Sequence, residues 1–161
     1  MASSTTKTPI PKILNGTSAE IALFSGTSPA TTTTEYEQMY RGFAEVDSLS
    51  LYASIGSPTG AAVDVVVQNS CDGVTWYDYV HFTQSAGAAA AVKYMAIPAL
   101  SGSIATIGSG TVASAAPVLS SGSMANGAWH DWLRVVITTA GNNTACAITV
   151  NALCTRRAFQ P

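Results

Sequence analysis

Charge is what this sequence has least of. Asp, Glu, Lys and Arg make up 10% of its 161 residues, where about 25% is usual in a soluble domain. Seven basic and nine acidic residues leave a formal net charge of -2, which excludes recognition of nucleic acid by a basic surface. Disorder is excluded as well, because disordered chains are charge-rich and poor in aromatics, and this one is 47% hydrophobic and 8% aromatic. The length suits one domain around one core.

Long apolar runs are also missing. Residues 86–100 come nearest, and Gly87, Lys93 and Pro98 interrupt them, so no segment reaches the ~18 apolar residues of a membrane span. Near the start, Lys7 and Lys12 are followed only by the short run Ile21 to Phe24. A secretory signal needs an apolar stretch of about 7 to 15 residues. The chain is expected to stay in the cytosol or to leave it inside a larger assembly, with no membrane partner. Without a secretory route the sequons at Asn15 and Asn142 are idle.

Cysteine is scarce: Cys71, Cys146 and Cys154, with no Cys-x-x-Cys. An odd number at these spacings fits no zinc site. Cys146 and Cys154 fall on one expected strand, and at about 3.3 Å per residue their Cα atoms stand about 26 Å apart, beyond disulfide reach. All three read as reduced, structural thiols, with Cys71 beside a tight turn.

Catalytic patterns are absent too. The only histidines are His81 and His130. His130 with Asp131 and a serine makes a triad only on paper, since no Gly-x-Ser-x-Gly supports it. Glu35 with Glu37, and Asp72 with Asp78, are carboxylate pairs by proximity alone. Asn69, Asp72 and Asp78 lack the spacing of a calcium loop. Gly102 to Gly110 has neither the lysine nor the following helix of a phosphate cradle. No catalytic, cofactor-binding or metal-ligating residue is assigned, and the chain is read as non-enzymatic, with no cofactor.

What is present is alternation. In Asp47 to Ile55, positions 49, 51, 53 and 55 are apolar between serines, and in Ala62 to Gln68 Val63, Val65 and Val67 share one face. Period two marks half-buried strands. Asp72-Gly73 is a hairpin signal, returning as a strand over Thr75 to Thr83. A second hairpin is expected at the end: Asn126-Gly127 leads into Trp129 to Thr139, and Gly141-Asn142-Asn143 turns into Thr144 to Leu153. Residues 27–35 are a long loop or edge strand. Glu35 to Phe43 makes two helical turns at most. These elements predict an all-β fold, an antiparallel β-sandwich or jelly roll. Residues 1–17 form an extended N-terminal arm held by a neighbouring subunit, and residues 18–161 form the sandwich domain.

Two features bear on function. Residues 94–130 contain no charged residue, in an Ala/Gly/Ser-rich insertion of about 94–128. Exposed sheets normally carry charges that block association, so this insertion is either a floppy loop or a segment lying against another protein; the second is favoured because Ile104, Ile107, Val112, Val118 and Leu119 are costly to leave in water. The aromatics Trp76, Tyr77, Tyr79, Phe82, Trp129 and Trp132 are expected to divide, with Trp76 and Trp132 in the core and Tyr77 and Tyr79 outside, where they serve a protein interface or stack on sugars.

The stretch Val63 to Tyr79 runs as a strand ending in Gln-x-Ser, then Asp-Gly, then Thr-Trp-x-Asp and an aromatic-rich strand. With Trp132 to Gly141 it resembles small β-rich structural proteins of tailed bacteriophages, often head decoration (cement) proteins, sometimes tail or fibre components. The resemblance implies a virion protein, assembled in the host cytoplasm, that binds and stabilises the capsid. Its implied partners are the major capsid protein and copies of itself in a homo-oligomer, with Arg41, Arg156 and Arg157 facing acidic capsid surfaces. The alternative is a tail or fibre component, or a receptor- or carbohydrate-binding module.

Overall fold

Alternation gives each strand one apolar side, and two sheets close those sides over a single core. The computed structural model describes residues 7–13, 17–28, 33–36, 39–58, 62–86, 91–97, 121, 123–124, 129–141 and 145–156. The strands are β1 (Lys7–Pro9), β2 (Ser18–Thr27), β3 (Thr33–Tyr36), β4 (Met39–Arg41), β5 (Ser48–Ile55), β6 (Ala62–Ser70), β7 (Tyr77–His81), β8 (Ser85–Ala86), β9 (Ala91–Ile97), β10 (Ser123–Met124), β11 (Trp132–Ala140) and β12 (Ala147–Thr155). The larger sheet runs β1-β4-β11-β6-β7-β10, with β3 also on β11 and β8 on β6. The smaller runs β2-β12-β5-β9. Among the described residues only β1 with β4 is parallel. The fold is an all-β sandwich.

The alternating residues are the core. Leu49, Leu51, Ala53 and Ile55 of β5, Val63, Val65 and Val67 of β6, Leu133, Val135 and Ile137 of β11, and Ile148, Val150, Ala152 and Cys154 of β12 are each at most 1% exposed. A buried Leu, Ile or Val contributes about 1.5–3 kcal/mol. Burial also pushes the Cys154 thiol up to about 12, which keeps it protonated and inert. All three cysteines are free, and of them only Cys71 is exposed.

Several details depart from the sequence expectations. In the first hairpin, Val67 pairs with Val80 and Gln68 with Asp78, so Tyr79 is an extra residue. Such a bulge resets the phase of a strand. Tyr79 and Val80 are therefore both buried in the core, at 1% and 0% exposure. Trp132 is not in the core: it precedes Leu133, and parity puts it on the outer face. Trp76 is buried at 8% but lies under the Arg134 guanidinium rather than in the core cluster.

The expected C-terminal hairpin does not form either. β11 joins the larger sheet and β12 the smaller, so consecutive strands lie in different layers. Two strands with one apolar side each can bury those sides by facing across the core as well as by pairing edge to edge. The described residues from Glu35 to Phe43 hold the end of β3 and all of β4, followed by a 3-10 turn at Phe43–Glu45. Finally, the described part of the arm is held by its own chain. β1 pairs with β4, the Ile10 N–H donates to the Arg41 carbonyl at 2.8 Å, and Ile13 is buried in the core cluster.

Candidate functional site

The sandwich presents two outer faces of different chemistry. On the larger sheet, register sets Trp132, Arg134, Val136 and Thr138 opposite Ser70, Gln68, Val66 and Asp64. Arg134 Nε donates to Gln68 Oε1 at 2.8 Å and Gln68 Nε2 donates to Asp78 Oδ1 at 2.7 Å. The Arg134 guanidinium lies 4.3 Å from the centre of the Trp76 ring. Lys7 and Arg41 stand over Trp132 at 5.2 and 5.5 Å. Further along, Asp64 accepts from His81 Nε2 at 3.0 Å and from Gln84 Nε2 at 2.7 Å.

The smaller sheet is nearly bare of charge. Glu20 is the one charged side chain in β2, β5 and β12. The outward positions of β5 are Ser48, Ser50, Tyr52 and Ser54, and those of β12 are Ala147, Thr149, Asn151, Leu153 and Thr155. Glu20 itself is bound by the Tyr52 hydroxyl and by Asn151 Nδ2, the latter at 2.8 Å. The Glu20 carboxylate raises the Tyr52 phenol above its ordinary range by accepting that hydrogen bond.

Two further features lie at the end of the sandwich where β11 begins. The first is the tip of the β6–β7 hairpin, a loop knotted on one carboxylate. The backbone N–H groups of Thr75 and Val74 donate to Asp72 Oδ1 at 2.7 and 2.8 Å, the Ser70 hydroxyl at 2.8 Å, and Thr75 Oγ1 reaches Oδ2 at 3.0 Å. These donors, the two backbone ones first, hold the Asp72 carboxyl far below the usual carboxylate range. Gly73 has φ +71, and a Cβ there would meet the Trp132 ring at 3.1 Å, so only glycine fits both the turn and the contact. The knot displays Val74 at its apex, 77% exposed, with Tyr77 40% exposed beside it.

The second feature is a groove of about 420 Å³ between the arm and the 3-10 turn. Ile10, Ile13 and Val46 contribute apolar wall. On its rim Arg41 Nε pairs with Asp131 Oδ2 at 3.0 Å and Arg156 Nη1 with Glu45 Oε2 at 2.9 Å. Lys12 also lines it and has no partner among the described residues.

The residues weighed from sequence fall as follows. His130 is exposed, and Asp131 accepts from Arg41 Nε at 3.0 Å. Asp72 and Asp78 serve the turn and the strand. Asn69 is buried at 5% exposure. Among the described residues no three of His, Cys, Asp and Glu could hold a metal ion, and no helix is long and apolar enough to cross a membrane. Arg41 and Arg156 are paired within the chain. Glu37, Arg157, both sequons, Asn126-Gly127, Gly102 to Gly110 and most of the uncharged insertion lie outside the described residues. Sequence reasoning missed the groove and the cations over Trp132, which unite segments far apart in the chain.

Comparison of the chain with protein-family models, with curated proteins and with solved structures finds no match in any of the three.

Proposed function

We propose that the chain is a non-enzymatic virion structural protein, a decoration or cement protein that binds the major capsid protein of a tailed bacteriophage and stabilises the head. The observation that carries this reading is the outer face formed by β2, β12 and β5 of the smaller sheet, with its single, already bound carboxylate. Covering hydroxyls and small apolar groups costs little when partner groups replace water, whereas covering ions costs several kcal/mol each unless they are paired. The uncharged stretch 94–130 begins inside β9, an edge strand of this same sheet. Edge strands add partners through backbone hydrogen bonds, and many copies on a lattice turn weak contacts into strong retention.

The carbohydrate-binding alternative needs a free aromatic platform. Trp132 already carries two cations and Trp76 one, Trp129 packs on the core and donates its ring N–H to the Phe43 carbonyl, and Tyr79 and Phe82 are in the core, which leaves Tyr77 of the aromatics weighed for this role. The test is mass spectrometry and imaging of purified particles of the phage that encodes the chain. Stoichiometric copies on the head are expected. Absence from the particle overturns the reading, and density confined to the tail selects the tail-component alternative.

A further inference from the structure

We propose that two copies of the chain form a two-fold dimer in which the β6–β7 hairpin tip of each, led by Val74, seats in the groove between the arm and the 3-10 turn of the other. The proposal rests on the reading of the chain as a structural subunit and names one of its partners.

Four observations meet here. Among the described residues, Val74, Tyr77 and Leu153 are the large hydrophobics left exposed, and two of the three share this one tip. Side chains standing in water on a projecting loop gain most from a pocket. The loop is already fixed by its hydrogen bonds to Asp72 and Ser70, so docking freezes little additional motion. The groove offers apolar walls and a volume of about 420 Å³, within the ~300–1,000 Å³ of pockets that enclose small ligands.

Charge adds direction. From Asn69 to Tyr77 the tip carries one carboxylate, Asp72, and no cation. The groove is lined by Lys12, Arg41 and Arg156 against Glu45 and Asp131, with Lys12 the one not already paired. A negative knob therefore meets a positive rim.

The symmetry follows from adjacency. Gly73 in the tip packs on the Trp132 ring, and Arg41, which lines the groove, lies over that same ring. Knob and groove are thus neighbours on one patch. A patch that holds both halves of a contact is self-complementary under a two-fold axis and closes at two copies. The smaller sheet's outer face, on the far layer, is left open for the capsid.

The test is sedimentation velocity on the full chain across a micromolar to submillimolar series, with Val74→Ser and Lys12→Glu variants. Both side chains are solvent-exposed, and unchanged thermal unfolding shows that the fold survives. A wild-type dimer is expected, weakened about tenfold or more by either substitution. An equimolar mixture of the two variants pairs one intact contact with one doubly substituted contact, so its affinity is expected to fall between those of the two variants alone. A monomeric wild type, or a dimer indifferent to either substitution, overturns the proposal. Particle binding separates this proposal from the one it rests on. A chain that is monomeric yet present on heads refutes the dimer alone, and a dimer that particles do not carry refutes the capsid reading alone.

Discussion

On the outer face of the larger sheet charges come in tied sets: Arg134 with Gln68 and Asp78, Asp64 with His81 and Gln84, and Lys7 and Arg41 over Trp132. On the outer face of the smaller sheet the strands β2, β5 and β12 offer hydroxyls, amides, small apolar groups and one carboxylate, Glu20. Both faces rest on the same period-two scaffold and the same core. The difference therefore lies outside folding. The first face satisfies its ions within the chain, as a surface made for water does. The second has almost nothing to desolvate, which suits a surface that ends against another protein.

The largest expected effect comes from breaking that contrast. Ser50→Lys with Thr149→Lys puts charge on the bare face, and its affinity for particles falls by about a hundredfold, the loss expected for leaving buried ions unpaired. Its urea unfolding shifts by no more than about 0.5 kcal/mol, as for ordinary surface substitutions. Arg134→Ala does the reverse. It removes the cation over Trp76 and the bond to Gln68, costing about 1–2 kcal/mol in urea unfolding while particle affinity holds.

The third effect is confined to acid. The Asp72 carboxyl is held low by its donors in the folded chain, against about 3.9 when unfolded. Its contribution is therefore present in full above about pH 4 and fades as pH falls toward the folded value. Asp72→Asn is less stable than wild type at neutral pH, and the gap narrows in unfolding curves taken below about pH 4. The smallest effect is spectroscopic. Glu20→Gln lowers the raised Tyr52 phenol toward the ordinary tyrosine range, read as the difference between variant and wild-type tyrosine absorbance titrations.

Strict alternation made β5, β6, β11 and β12 legible, because a period of two maps directly onto two faces. β2 was hidden by its irregularity. Val150 pairs with Phe24 and Asn151 with Ala22, which leaves Leu23 as an extra residue and buries Leu23 and Phe24 in succession. Tyr79 was misplaced by the same device in β7. Alternation also says that one side of a strand is buried without saying which layer it faces, so the sheet change from β11 to β12 had no local signal. The scarcity of charge was legible, but the sequence reading located it in residues 94–130, because only folding brings the uncharged outer positions of β2, β5 and β12 onto one face. The groove was not, since Ile10, Val46, Asp131 and Arg156 meet only after folding.

Radical footprinting of the chain free and bound to phage particles tests the central claim most directly. The account predicts strong protection on binding at Tyr52 and Leu153 of the smaller sheet, with Trp132 of the larger sheet labelled equally in both states. Protection at Trp132 with Tyr52 and Leu153 unchanged would contradict it.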